Sequence, residues 1–480
     1  MNNKTIAAAV AGILALAAAA TIESAQAATA ARAPAAPAVT AADVDALKAQ
    51  LAALQARLAE LETAQKAQSE QVAQASRAAQ GAVAATTEQQ ESIDRNSDNL
   101  AKTAANVGEW VGRWTWKGDL RYRNENIDQE FTLRERNRDR IRARIGLAAK
   151  VNDTVKVTAQ LATTENGDAR SSNQTLTDSS SRKALDLDMA YAEWTPNANW
   201  KLSVGKMPYP WVRTSSYFYD GDVNPEGAAL AFQQGATGLF GSAWMAHVAE
   251  RSTAADSNVF GAQVGWRGTF GDGGKYTLAA GYFDGGALKG YNVTQSSAAG
   301  GYFGNSTTTT PTICRTGQSP CLANDFNIFE LLGEVQTKLA GRPLTLFADY
   351  AQNGSADYSF ASTNPTLNIK KGLDTALSAG FTWGRASNPG TWEFGYVWQK
   401  VEKDALFGQW VDSDFAAGNT DGDGSAVKFA YAFAKNWRLN MTYLINKTNN
   451  DVAAAVTVPT ARNVFDRDYK RLQLDLNMSF

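Results

Sequence analysis

The sequence predicts an all-β membrane protein: an antiparallel transmembrane β-barrel of about 16 strands, preceded by an N-terminal α-helical coiled coil. Three observations carry this. From Trp114 onward, apolar and polar residues alternate with period two. Short turns alternate with long polar loops through the same region. The last strand has an apolar residue at every second place and ends on Phe480.

The first 109 residues read differently. Residues 1–27 have the form of a signal peptide: Lys4 gives a positive start, an Ala- and Leu-rich stretch runs from Ile6 to Ile22, and Ala25-Gln26-Ala27 supplies a small-residue cleavage site. The competing reading, an uncleaved anchor, fits the Ala-rich core less well. Residues 28–42 form an Ala/Pro-rich lead-in. In residues 43–79, Val44, Leu47, Leu51, Leu54, Leu58 and Leu61 are spaced 3, 4, 3, 4 and 3, an a/d seam. Its strong part would span about 27 Å as a helix, marginal in water without partner helices. A single amphipathic helix lying on the barrel is the alternative. Residues 80–109 are a polar linker.

Bulk properties exclude little. A formal net charge of −2 gives no case for a nucleic-acid partner. A mean hydropathy of −0.33 does not argue against a membrane protein, because lipid-facing and water-facing residues alternate in a barrel. After residue 27 no stretch reaches the ~18 apolar residues of a helical span, so an integral protein would have to be a closed barrel.

The strand region, 110–480, shows its faces directly. Trp116, Leu120 and Tyr122 alternate with Lys117, Asp119, Arg121 and Arg123; Ile141, Ala143, Ile145 and Leu147 with Arg140, Arg142 and Arg144; Val155, Val157, Ala159 and Leu161 with Lys156, Thr158 and Gln160. Short turns stand at 151–153, 196–199, 271–274, 341–343 and 387–390. Between them lie long polar loops at 127–138, 167–182, 207–227, 285–326, 353–372, 403–424 and 448–466. A soluble β-sandwich would share the alternation but not this loop asymmetry, which puts turns in the periplasm and loops outside. In the last strand Leu472, Leu474, Leu476, Met478 and Phe480 share one face. This resembles the insertion signal that outer-membrane barrels present to the barrel-assembly machinery. Cys314 and Cys321, an even pair in an exported chain, are expected to form a disulfide, worth about 2.5 kcal/mol by loop closure. A metal pair is disfavoured, since the only histidine, His247, is distant in sequence.

The stretch Val204-Gly205-Lys206-Met207-Pro208-Tyr209-Pro210-Trp211, followed by Tyr219-Asp220-Gly221-Asp222-Val223-Asn224-Pro225-Glu226-Gly227, resembles a signature of the "Putative porin" family of Gram-negative bacteria, and more distantly the phosphate-selective porins O and P. The resemblance implies a barrel in the outer membrane, a homotrimer, and a third loop (207–227) folded into the lumen. Lys206, Asp220, Asp222 and Glu226 would then stand at the constriction. The alternative for Asn224-Pro225-Glu226-Gly227 is a tight turn with satisfied Asp side chains.

Arg134, Arg136, Arg138, Arg140, Arg142 and Arg144 fall at every second residue. Arginine facing lipid at the midplane costs about 2–4 kcal/mol, so Arg138, Arg140, Arg142 and Arg144, extended by Arg121 and Arg123, are expected to line the lumen as a basic ladder that sets charge selectivity. The competing reading pairs them with Asp186, Asp188 and the third-loop acids, leaving a transverse field. Trp110, Trp114, Trp116, Trp194, Trp200, Trp211, Trp392, Trp398 and Trp437 near strand ends suggest aromatic girdles; a sugar-stacking track is the rival. His247 is expected on the lumen side as a wall residue, with no nucleophile motif beside it. The function expected is passive diffusion of small hydrophilic solutes or ions with weak anion preference, without cofactor, metal or catalysis. The alternatives are a phosphate- or sugar-specific channel, or an envelope tether whose periplasmic coil spaces the membrane.

Overall fold

The computed structural model describes residues 42, 45–46, 48–60, 63 and 66 of an N-terminal unit and residues 111–130, 132, 134–271, 273–293, 301–356, 373–448 and 467–480 of a second. The expected signal peptide (1–27), the linker (80–109), nearly all of the lead-in (28–42) and Trp110 lie outside the described residues. So do Val44, Leu47, Leu61 and residues 67–79 of the expected coil. Residues 48–60 are α-helical, as their run of Ala, Leu, Gln and Arg favours. Leu51, Leu54 and Leu58 all stand exposed on that helix.

The second unit is a closed barrel. Its strands are β1 (Trp114–Gln129), β2 (Arg136–Lys150), β3 (Val155–Thr163), β4 (Leu185–Trp194), β5 (Trp200–Lys206) and β6 (Glu226–Gln233). Then follow β7 (Gly238–Ala249), β8 (Ser257–Phe270), β9 (Gly274–Gly286), β10 (Asn327–Leu339) and β11 (Arg342–Asn353). The last are β12 (Thr375–Gly384), β13 (Thr391–Val401), β14 (Gly422–Ala434), β15 (Trp437–Thr448) and β16 (Arg467–Ser479). Neighbours run antiparallel, and β1 closes the sheet by pairing with both β2 and β16. Where β3 ends at Thr163, the two-residue strand Gln174–Thr175 takes over the β2 edge opposite Arg140 and Ile141. The described sheet of 17 strands is thus sixteen full strands and this short one. No helix among the described residues is long and apolar enough to cross a membrane.

The two ends of the barrel differ as the loop pattern predicts. One end carries the turns 151–154, 195–199, 234–237, 271–273, 340–341, 385–390 and 435–436. At the other end lie the strand ends that flank 130–135, 164–184, 207–225, 250–256, 287–326, 354–374, 402–421 and 449–466. The turns at 234–237 and 435–436 and the connection 250–256 go beyond those expected; the turn at 435–436 lacks glycine and proline, and Asn436 adopts the left-handed φ of 65° instead.

Period two sorts the side chains. Ile145, Leu161, Val204, Leu230, Val264, Leu278, Leu331, Leu346, Leu439 and Leu474 point outward and stay exposed, a surface that would invite aggregation in water and matches lipid. Trp116, Trp194, Trp200, Trp266 and Trp437 stand on this face near the short-turn end. Leu472, Leu474, Leu476 and Met478 share it, their parity opposite to the buried Arg471, Gln473 and Asp475. At the seam, Gly118 N donates to Phe480 O (2.9 Å) and Phe480 N donates to Gly118 O (3.0 Å). The Phe480 ring lies over Gly118, where any Cβ would run into it. Gly118→Val is therefore expected to push the ring off the seam and lower the yield of folded, heat-modifiable barrel; unchanged yield would contradict this packing.

The buried apolar core is inside the barrel. Trp211, Phe218, Tyr219, Phe407 and Trp410 from loops pack against Trp244, Phe283, Ile328 and Val401 from the wall. Trp211 therefore departs from the expected girdle: it is 5% exposed and stacks on Trp244 at 4.5 Å.

Candidate functional site

The third long loop crosses the lumen. Its neck is closed by Met207 N donating to Pro225 O (2.9 Å). Gly205 at its foot has φ +123°, with the Ala190 carbonyl where a Cβ would stand, so only glycine lets the chain turn inward there. Pro208 and Pro210 then prevent a continued ladder. Wall side chains supply the missing partners. The Gln263 amide of β8 accepts from Val212 N and donates to Val212 O, both at 2.9 Å. Asp349 of β11 accepts from Thr214 Oγ1 (2.5 Å) and Ser216 Oγ (2.9 Å). Gln399 of β13 accepts from Tyr217 N (2.9 Å), and Lys428 of β14 lies 4.3 Å from the Tyr217 ring centre. The loop returns through Tyr219 and Asp220 to Asp222, which accepts from Ser172 N (2.9 Å) and Ser172 Oγ (2.8 Å).

A second segment, 402–421, meets it. Asp220 N donates to Trp410 O (2.8 Å), and Ser413 N donates to Asp220 Oδ2 (2.7 Å). Both segments carry Asp-x-Asp with the same local turn: Asp222 N donates to Asp220 Oδ1, and Asp414 N to Asp412 Oδ1, each at 2.8 Å. Sequence reasoning named Asp220 and Asp222 but missed Asp412 and Asp414, although the repeated spacing was a readable signal. In each segment the second carboxylate reaches the arginines and the first stays at the loop junction. Burial alone would raise the Asp222 carboxyl, but Arg142, Ser172 and Arg144 hold it below its ordinary range. Burial would likewise raise Asp414, and Arg471 and Arg123 push it far down. At the junction burial, then Asp412 and Asp222, drive Asp220 well up. Burial and then Asp414 push Asp412 up to about 6.

Asp412 therefore has a definite sign in stability. Between its unfolded value of about 4 and about 6, the folded protein holds a proton that the unfolded chain lacks. Stability falls as pH rises through that window, and the cost is complete above it. Asp412→Asn keeps an Oδ1 acceptor for Asp414 N and Phe415 N. It is expected to raise the thermal midpoint at pH 8 and leave it unchanged at pH 4. An equal shift at both would contradict the assignment.

The ladder residues Arg121, Arg123, Arg138, Arg140, Arg142 and Arg144 all point inward, whereas Arg134 and Arg136 stand exposed at the long-loop rim. Register sets Arg121 opposite Arg142 and Arg123 opposite Arg140, like charges that must be compensated. The compensation divides the ladder. In the sealed part, Asp475 forms a bidentate pair with Arg123 (2.7 and 2.8 Å). The fully buried Glu125 lies 2.6 Å from both Arg138 and Arg471, 3.5 Å from Arg123 and 3.7 Å from Arg140. Asp414 closes the group against Arg471 (2.9 Å) and Arg123 (3.1 Å). In the open part, Asp119 binds Arg142 (2.8 Å) and Arg144 (2.7 Å), while Asp222 stays 3.9 and 3.5 Å from them. Arg144 is the most accessible of these charged side chains at 26%, Asp119 follows at 21% and Arg121 and Asp222 at 17%; in the sealed part only Asp414 (21%) and Arg138 (16%) are comparably exposed, while Arg123, Glu125, Arg140, Arg471 and Asp475 are buried. Of the acids weighed from sequence, Asp188 accepts from Gln160 and Asn224, and Asp186 makes no ion pair among the described residues.

Other site residues fall elsewhere. Lys206 and Glu226, expected at the constriction, have the outward parity of Val204 and Leu230 and pair with each other at 2.9 Å at the long-loop end of their strands. Asp220 is buried at the loop junction, so Asp222 alone of the four faces the ladder. His247 is also outward, opposite the parity of buried Trp244 and Ala246, with Nδ1 2.8 Å from Asn258 Oδ1. Cys314 and Cys321 are joined by a disulfide in the fifth long loop. No cluster suited to a metal ion is present among the described residues.

The family model described as "Putative porin" matches residues 127–321 and 301–460. No curated protein matches the chain. Among solved structures it is similar to a loop L8 deletion mutant of OmpT, an outer membrane protein of Vibrio cholerae, at 15% identity, covering 77% of this chain and 100% of that one with a TM-score of 0.42. It is similar to Pseudomonas putida OprB at high pH, at 10% identity, 77% and 94% coverage and a TM-score of 0.47. A triple mutant of the Rhodopseudomonas blastica porin gives 12% identity, 76% and 100% coverage and a TM-score of 0.40. With the family model matched across most of a closed, outwardly apolar barrel, this chain belongs to the "Putative porin" family and is an outer-membrane channel.

Proposed function

We propose that the channel passes small hydrophilic solutes and ions by passive diffusion, along the wall formed by β16, β1, β2 and β3, past the gap between Asp222 and Arg121, Arg142 and Arg144. The observation that supports this is the division of the lumen: the half under β7–β13 is packed with apolar loop side chains, and the accessible charges lie on the other side. Arg142 and Arg144 face Asp119 and Asp222 there, Arg121 stands beside them 3.6 Å from Asp475, and Asp188 lies behind. The near balance gives a transverse field and a weak anion preference. Under a KCl gradient in a planar bilayer, the reversal potential is expected to be slightly anion-directed, and Arg121→Gln with Arg144→Gln to turn it cation-directed. A reversal potential unmoved by both changes would sink the assignment.

The remaining parts follow the same reading. Residues 1–27 would export the chain, and Phe480 with its outward leucines would present it to the assembly machinery. The exposed Leu51, Leu54 and Leu58 favour pairing with partner helices in the periplasm, within a homotrimer.

A further inference from the structure

We propose that the recess beneath the third loop, at the short-turn end of the lumen, is a binding site for a small organic monoanion that carries an aromatic ring. The recess is a half-open cavity of about 410 Å³, separate from the gap at Asp222. Its ceiling is the loop segment Met207–Val212, which presents Tyr209 and Trp211 with ring centres 4.5 Å apart. Pro208 and Pro210 fix that backbone, and the two Gln263 hydrogen bonds hold its end. Arg213 covers one face of Tyr209 at 4.3 Å, so at most one face of that ring is left for a ligand.

The side wall is built around a cation. Phe240 lies on Gly265, where a Cβ would collide with its ring, and the Arg267 guanidinium stands over Phe240 at 4.1 Å. Opposite, Glu193 is taken by Lys156 (2.6 Å) and Lys201 (3.2 Å). Arg267 makes no ion pair among the described residues. The recess thus joins an uncompensated guanidinium to a rigid aromatic ceiling, and small wall residues such as Ser203 and Ala231 leave the volume between them.

Each class of ligand would use a different share of this. An inorganic anion would satisfy Arg267 and leave the Tyr209 ring uncovered. A neutral polyol would cover the rings and leave the cation unpaired. A ring bearing one carboxylate does both: a charge-assisted hydrogen bond from the guanidinium and offset or edge contact with the half-buried Tyr209, which the buried Trp211 holds in place from behind.

The test is calorimetric titration of benzoate into the folded, full-length protein in detergent, with acetate and benzyl alcohol alongside. Benzoate is expected to bind saturably and more tightly than either. Arg267→Gln is expected to weaken it by at least about tenfold, and Ala231→Phe, which fills the recess and keeps the cation, to abolish it. Should Arg267→Gln fail to fold, Ala231→Phe decides. Benzoate binding no tighter than acetate, or undiminished in either folded variant, would overturn the proposal. Because the titration reads the folded barrel, lack of conductance would count against the diffusion reading only, and a conducting barrel indifferent to benzoate against this one only.

Discussion

Glu125→Gln is expected to cost the barrel about 3–5 kcal/mol, the usual penalty for removing one partner from a buried ionic group. The Glu125 carboxylate has no exposed surface and lies within ion-pair distance of Arg123, Arg138, Arg140 and Arg471. Gln fills the same volume but leaves these guanidiniums short of one charge in a place water does not reach. The loss falls where β1 closes the barrel between β2 and β16, so it should appear as a lower urea midpoint of heat-modifiable protein. Arg138→Gln, at a side chain that is itself 16% exposed, should cost less. Equal midpoints for wild type and Glu125→Gln would show that the sealed part of the ladder does not hold the seam.

Excising the third loop is expected to have the largest effect on transport. Met207 N and Pro225 O are hydrogen-bonded at 2.9 Å, so residues 208–224 can be replaced by a short glycine linker without moving β5 or β6. The excision removes Trp211, Phe218 and Tyr219 from the interior core and Asp222 from the ladder. Single-channel conductance should rise several-fold, with a stronger anion-directed reversal, because Arg142 and Arg144 lose a carboxylate. A folded variant with unchanged conductance would mean that the crossed loops do not limit the path.

How much of this could be read from sequence depends on what fills the barrel. Along β1, β2 and β16 the lumen is wet and charged, so alternation is sharp, and the inward parity of Arg140, Arg142 and Arg144 was evident. Along β7 to β11 the inside holds an apolar loop core, so inward residues such as Trp244, Phe283 and Ile328 are as apolar as the outward ones. Alternation collapses there, so His247, the polar residue of its stretch, carries no mark in the sequence that it faces out. Trp211 was grouped with the girdle by residue type, although the family resemblance already implied that the loop containing it turns inward; the contacts that hold it there come from Gly205, Gln263 and Asp349, which are far apart in sequence. Lys206 and Glu226 were misplaced for a simpler reason. Their parity with Val204 and Leu230 was readable, and the family resemblance led the other way. Asp414 was missed because its partners, Arg123 and Arg471, lie on strands at opposite ends of the barrel sequence.

The most direct test of the path is single-channel recording on Arg144→Cys during addition of a bulky, water-soluble thiol reagent. The native cysteines are joined to each other, so the introduced thiol is the target. Modification is expected to cut the current sharply, since Arg144 borders the gap facing Asp222. Modification verified by mass, with the current unchanged, would place the ions on another route and contradict a path along the arginine wall.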